Sequence, residues 1–269
     1  MSNKAFSDLE AFGFDNLSNL EIYKKEEPKV EKKKEKSVSK ITEIDINTLL
    51  FNKTVTCPVC NNEFECRVVK YNAPRIKSRD SDLFIRYYMI DPYYYDVWLC
   101  NRCGYAALKA DFNNIKNRQI KNILENIGRK WKSKYYPPIY DAKIAVERYK
   151  LALLNAVVSE QKDSTKAFIC LKIAWMYRVL ESKEEENIFL KKSVEGFLIS
   201  FQKEPTPIHG LDKYSLMYLI GELYRRTGNY ENAKLWLGKV VTSIGAPYKI
   251  KEKARDMREL AIETEKERL

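Results

Sequence analysis

Cys57-Pro58-Val59-Cys60 and Cys100-Asn101-Arg102-Cys103 frame the stretch whose reading decides the fold. Two C-x2-C pairs joined by a spacer supply four thiolates at the spacing of a tetrahedral zinc site. Cys57, Cys60, Cys100 and Cys103 are therefore the candidate ligands, for one Zn²⁺. Four thiolates fill every tetrahedral position and leave none for an activated water, so the predicted ion is structural. Its role would be to tie two loops of a β unit too small to have much core of its own. The rival reading, a thioredoxin-like redox pair, needs a surrounding βαβ pattern, and none is evident. Cys66, on a strand-like run, reads as a packed thiol, and Cys170, among apolar residues of a helical pattern, as core.

The flanks of both pairs are strand-like. Lys53–Thr56 runs into the first pair, Glu63–Tyr71 alternates as it leaves, and the β-branched and aromatic run Tyr93–Cys100 enters the second. Strand, thiolate turn and returning strand, twice over, is the layout of a zinc ribbon. Gly104 can take the positive φ that points backbone N–H groups at sulfur. Asn61 stands at the matching place in the first pair and tolerates that conformation next best.

The 39-residue spacer between Cys60 and Cys100 is longer than a compact ribbon needs, so it contains an insertion. Lys70, Arg75, Lys77, Arg79 and Arg86 stand there amid Tyr71, Tyr87, Tyr88 and Tyr93 to Tyr95. The mixture has two readings. One is a single-strand nucleic-acid surface, with basic groups on phosphates and rings on bases. The other is tyrosine-rich strands packed on helices, with snorkelling Arg and Lys. Arg79-Asp80-Ser81-Asp82 is the densest polar cluster. It fits a turn with an internal Arg–Asp pair, a recognition site, or an oxygen-rich site for a hard cation. Lys77, Arg79, Asp80 and Asp82 are accordingly the candidate recognition residues.

Beyond Tyr105 the pattern turns helical. One helix is predicted over 116–128, with Ile120, Ile123, Leu124 and Ile127 on one face. Pro137 and Pro138 then punctuate the chain, which divides it into a tail and linker (1–48), a ribbon-like domain (49–138) and a helical domain (139–269). From Asp141 onward, Ala145, Tyr149, Ala152, Leu153 and Ala156 recur at spacings of three and four. Ser164 is a candidate N-cap, Gly228 ends a later helix, and Asn229 caps its successor.

Ile173–Arg178 (IAWMYR) matches Ile220–Arg225 (IGELYR) at an offset of 47, an internal repeat. The run Tyr218–Val241 resembles a tetratricopeptide repeat, with Gly221, Tyr224, Gly228, Ala233 and Leu237 at that motif's small, aromatic, turn, small and large positions. Gly221 and Ala233 let two helices approach closely while Tyr224 fills the groove beside them. The earlier copy keeps Ala174 and Tyr177 but offers Glu181-Ser182-Lys183 in place of the turn glycine. The loop with Pro205, Pro207 and Gly210 must absorb the length beyond the usual repeat. The predicted fold class is thus α+β: a small zinc-ribbon-like β domain followed by an all-α, tetratricopeptide-like helical domain. Such an array either offers a groove to a peptide or partner helix, or its helices only pack on the ribbon and on each other.

Lys and Arg exceed Asp and Glu by 11 over the 269 residues, and the excess is concentrated in residues 41–140, with 16 basic against 10 acidic side chains. A polyanion, if bound, belongs there. No run of 18 apolar residues occurs and the N-terminus lacks a signal-peptide core, so a cytoplasmic protein with reduced thiols is expected and no membrane partner. Residues 24–40 are almost wholly Lys, Glu and small side chains, a solvated linker. Residues 1–23 differ, with Phe6, Leu9, Phe12, Phe14, Leu17, Leu20 and Tyr23 set among Asp8, Glu10, Asp15 and Glu21. Ser7 and Glu10 have capping-box spacing. The segment reads either as a docking peptide that folds on a partner, or on the chain's own helical groove, or as a terminus with stray aromatics.

Signatures of the common enzyme classes are missing from the sequence. His209, the sole histidine, stands in a Pro/Gly loop and reads as a surface residue rather than a base. There is no G-x-S-x-G, P-loop, dinucleotide fingerprint or H-E-x-x-H, and nothing positive supports carboxylate catalysis by Asp80 and Asp82. The expected function is that of a non-enzymatic adaptor that binds a protein partner through its helical domain. The alternative is a nucleic-acid-binding module using the basic insertion.

Taken in order, VTCPVCNNEF (55–64), KSRDSD (77–82), DPYYYDVWLCNRCGYAA (91–107), YKLAL (149–153) and IGELYRRTGNYENA (220–233) resemble a bacterial family known as domain of unknown function 2225. The resemblance covers most of residues 49 to 240. It implies a zinc-ribbon-like part and a tetratricopeptide-like part, with Cys57, Cys60, Cys100 and Cys103 as ligands, and no established activity. It also marks Arg79, Asp80 and Asp82 as a family motif without an assigned role.

Overall fold

The computed structural model describes residues 45–268. The linker and docking segment expected within residues 1–44 lie outside the described residues.

Three antiparallel hairpins form the first part. Strand β1 (Leu50–Thr56) pairs with β2 (Glu63–Val69) in the register Leu50↔Val69 to Thr56↔Glu63, so the first cysteine pair is their connection. Strands β5 (Val97–Leu99) and β6 (Ala106–Leu108) pair in the same way around the second. Between them β3 (Arg75–Arg79) pairs with β4 (Ile85–Tyr88), with a register shift at Lys77. The insertion is this middle hairpin, and the loop at its tip, residues 80–84, opens with Asp80-Ser81-Asp82.

The strand expected over Tyr93–Cys100 is shorter than the sequence suggests. Pro92–Tyr95 form a 3₁₀ turn instead. Pro92 presets the first φ of that turn, and the Asp91 carboxylate accepts the Tyr93 N–H at 2.9 Å. Local capping outweighs aromatic β-propensity at this point.

Helix α1 (Asn117–Ile123) continues through one π turn (Leu124–Gly128). Ile123 and Ile127 are buried as expected, whereas Leu124 is 40% exposed. The wider π turn keeps the two isoleucines inward and leaves the leucine outside.

Helix α2 (Ala142–Val158) starts at Asp141, whose carboxylate accepts the Ile144 N–H. It is the bridge of the molecule. Arg148 donates to Val97 O (2.6 Å), Tyr149 to Tyr93 O (2.8 Å) and Asn155 to Gly104 O (3.1 Å). Three buried polar side chains of one helix thus satisfy carbonyls of the β part, which would otherwise be costly to bury. The apolar core is continuous across Pro137–Pro138, from Val55 and Phe112 through Tyr149 and Leu151 to Met176 and Phe197.

Helices α3 (Asp163–Val179), α4 (Lys183–Lys203), α5 (Lys213–Arg226), α6 (Tyr230–Thr242) and α7 (Tyr248–Lys266) each pack on the next. The 47-residue repeat is carried into the turns. After α3, Ser182 N donates to Tyr177 O and Glu181 N to Arg178 O. After α5, Asn229 N donates to Tyr224 O and Gly228 N to Arg225 O. Glu181 (φ 59°) takes the left-handed conformation that Gly228 (φ 80°) takes more cheaply.

Two expectations need correction. Ser164 is not the cap of α3, which begins one residue earlier. Its N–H (3.0 Å) and hydroxyl (2.6 Å) both go to the carboxylate of Glu204, the residue that ends α4. The extra length of the first repeat is not confined to the Pro/Gly loop either: α4 has 21 residues where α6 has 13.

Candidate metal centre and the Asp80–Asp82 contact

The hairpins bring all four predicted ligands together. The sulfurs of Cys57, Cys60, Cys100 and Cys103 lie within 4.8 Å of one another, with Cys57–Cys103 at 3.7 Å and Cys60–Cys100 at 3.6 Å. The two knuckles share one backbone pattern. Asn61 N donates to Cys57 O and Cys57 N to Asn62 O; Gly104 N donates to Cys100 O and Cys100 N to Tyr105 O. Asn61 (φ 56°) and Gly104 (φ 73°) both sit in the left-handed region, as the sequence predicts.

Gly104 is doubly constrained. A Cβ there would lie 2.7 Å from the Trp131 ring, which is held over the knuckle by its N–H bond to Asn101 O. Ser133 and the Lys134 N–H also bind Asn101, so residues 131–134 wrap the second knuckle.

The sulfurs are electrostatically coupled. The neighbouring Cys103 and Cys57 sulfurs hold the Cys100 thiol below its ordinary range, and those of Cys103 and Cys57 are pushed up in return. The four residues, three of them buried, could hold a metal ion. Cys66 and Cys170 are buried elsewhere in the core; burial pushes the Cys66 thiol up to about 12.

The other candidate residues separate into two groups. Asp80 and Asp82 point into the helices. The Arg178 guanidinium on α3 spans both, with Nη1 at 2.8 Å from Asp80 Oδ2 and Nη2 at 2.6 Å from Asp82 Oδ2. Arg86 grips Asp80 with two bonds of 2.9 Å, so the internal pair of this turn is Arg86–Asp80 rather than one with Arg79. Trp175 donates to Asp82 at 3.1 Å, and Ser81 donates to Glu222 on α5 at 2.6 Å. Arg226 donates to Ser81 and to Glu222, and Tyr218 to Ser81 O.

Burial would push the Asp82 carboxyl up, but the bonds and charge of Arg178 and the charge of Arg226 outweigh it and hold it below the usual range. Asp80 is lowered in the same way by Arg86 and Arg178. Both carboxylates are saturated with arginine, which does not suit a hard-cation site. Lys77 and Arg79 instead lie on β3, all five residues of which are exposed; the Lys77 ammonium sits 5.9 Å from the Tyr88 ring.

Among the repeat residues, Ala174 and Ala233 are fully buried, and a Cβ on Gly221 would lie 2.7 Å from Leu237 Cγ. Tyr177 stacks on Phe189 of α4, and Tyr224 packs against both halves of the helical core. His209 is half-buried in its loop rather than fully exposed: its ring stacks 4.4 Å from Phe168, and burial lowers its basicity.

Arg86, Trp175, Arg178, Glu222 and Arg226 complete the contact; the sequence marked Arg86 only as one of the insertion's basic residues and assigned none of the five to this contact. Arg178 and Glu222 each lie within a copy of the repeated hexapeptide, and Glu222 stands three and four residues before Arg225 and Arg226. Those were the available signals.

No solved structure matches the chain significantly. A protein of Borreliella burgdorferi, described as uncharacterized, is 25% identical to it, over 66% of this chain and 78% of the relative. The bacterial family described as "Uncharacterized protein conserved in bacteria (DUF2225)" matches residues 50–261, from the start of β1 into α7 and so across both cysteine pairs and the Asp80–Asp82 contact. The chain belongs to that family.

Proposed function

We propose that this protein is a non-enzymatic, zinc-tied adaptor whose helical domain, tetratricopeptide-like in its close-packed helix pairs, binds a protein partner. Zinc is favoured by the donor set. A tetrahedral ion with Zn–S bonds of ~2.3 Å places sulfurs ~3.8 Å apart, close to the spacings of 3.6 and 3.7 Å. Four thiolates close the coordination sphere, which suits a structural role in the cytoplasm, where thiols stay reduced.

The observation that carries the partner reading is the apolar surface at the C-terminal end. Leu235, Ile244, Tyr248 and Leu260 are all exposed around α6 and α7. Four large exposed apolar side chains within this one part of the helical domain suit a protein contact. The facing surfaces of α3 and α5 are less suited, because the chain's own Asp80-Ser81-Asp82 loop covers them. A photo-cross-linker placed at residue 235 in cells should capture one protein, and the same group at residue 188 on α4 should not. Equal capture at both positions, or none at 235, would remove this reading.

A second reading is favoured by β3, where Arg75, Lys77 and Arg79 are exposed beside Tyr71 and Tyr88. Single-stranded RNA or DNA would be retained there at low salt and released as salt rises. Neutralising Lys77 and Arg79 should abolish retention, and no retention by the unaltered chain would eliminate the nucleic-acid reading.

A further inference from the structure

Helices α6 and α7 leave a groove that the described residues do not fill. It has a volume of about 340 Å³, is apolar or side-chain-free at Leu235, Gly238 and Val241, and carries Lys234, Lys239 and Arg258. Lys234 is held by Glu231 and Glu265, so the available positive charge comes from Lys239 and Arg258. Among the described residues, no acidic side chain lines the groove. Arg258 lies over Gly238, whose missing side chain leaves the floor open.

This surface asks for an apolar segment bearing carboxylates. Residues 5–23 of the same chain are such a segment: six Phe and Leu side chains, four acids and no Lys or Arg. Residues 24–44 separate the segment from Asp45. At about 3.3 Å per residue they span up to ~70 Å. A folded unit the size of residues 45–268 has a radius of gyration of only ~17 Å, so the tether reaches any of its faces. The surface shared by α3 and α5 is already taken by Asp80 and Asp82.

We propose that residues 5–23 dock within their own chain into the α6–α7 groove, apolar side chains against Leu235 and Val241 and carboxylates toward Lys239 and Arg258. Docked there, the segment covers Leu235, which is assigned above to a partner, and must leave before a partner takes that residue. This regulatory role rests on the partner reading, whereas the docking itself does not.

Hydrogen exchange on the full chain tests the docking without any partner. Amides of residues 5–23 should be protected, and Lys239→Glu with Arg258→Glu should speed their exchange by about tenfold. Adding Asp8→Lys and Asp15→Lys to that variant should restore protection, because the charge pair is re-formed with its signs exchanged. Unchanged exchange on reversal, or no recovery on the swap, overturns the proposal. So does release of the segment by Lys77→Glu with Arg79→Glu, which would place it on the β3–β4 hairpin. Protection that grows with protein concentration also overturns it, since the occupant would then be a second copy. Failure of partner capture at residue 235 leaves all of these outcomes untouched.

Discussion

Arg178 and Asp82 join the two parts of the molecule. A fully buried carboxylate at the tip of the β3–β4 hairpin meets, at 2.6 Å, a guanidinium from the middle of the helical domain. Arg178 also binds Asp80 and Glu186, so one cation serves three carboxylates and ties the hairpin tip and the start of α4 to α3. Burying such a group is tolerable only when every charge is paired. That makes the contact all-or-none.

Removing one member should therefore be severe. Arg178→Met should lower unfolding free energy by about 3–5 kcal/mol, because it leaves the buried Asp82 carboxylate with only Arg226, at 3.7 Å, for a counter-charge. Asp82→Asn should cost less, because Arg178 keeps Asp80 and Glu186. The double variant should cost clearly less than the two losses added together, since it removes both charges. Urea denaturation measures all three, and additive losses would mean that the pair is not coupled.

Acid should undo the same contact. The folded-state values of Asp80 and Asp82 are held below the usual carboxylate value. Their stabilisation is therefore fully present above the unfolded value, about pH 4, and is lost as pH falls through the folded values. Trp175 donates to Asp82 and stacks on Phe84 of the hairpin, so its fluorescence reports the event. The transition should occur below about pH 4 and be blunted in Asp80→Asn with Asp82→Asn.

The ligand set was legible because C-x2-C spacing encodes geometry within four residues. The same holds for the left-handed Asn61 and Gly104 and for the α5–α6 turn. The Asp80–Asp82 contact was not legible, because its partners other than Arg86 lie 93 to 145 residues away and pairing at that range leaves no local pattern. Asp91 and Pro92 show a different failure. The run of three tyrosines reads as strand by propensity, but a cap and a proline one residue earlier decide the backbone. Ser164 fails for a third reason, since the carboxylate that claims it, Glu204, arrives from the far end of the next helix.

Native mass spectrometry should find one zinc per chain. Cys57→Ser should lose it together with the packing of β1, β2, β5 and β6, because a bound ion would supply folding free energy for that unit. Cys66→Ser and Cys170→Ser should retain it, as neither sulfur belongs to the cluster. Zinc lost from Cys66→Ser while the fold survives would reassign the ligands.

The two knuckles should respond differently to substitution, although their backbone bonds match. Gly104→Ala places a Cβ 2.7 Å from the Trp131 ring and forces alanine to a φ of 73°. Those two effects together should cost about 2–3 kcal/mol and speed metal loss to a chelator. Asn61→Gly relieves a mildly strained φ of 56°, so its effect should stay within about 0.5 kcal/mol. Trp131→Ala with Gly104→Ala separates the two causes. If the ring is the main obstacle, removing it should recover part of the chelator resistance lost in Gly104→Ala. No recovery would assign the whole cost to the backbone, and the wrapping of residues 131–134 would then have no part in holding the second cysteine pair.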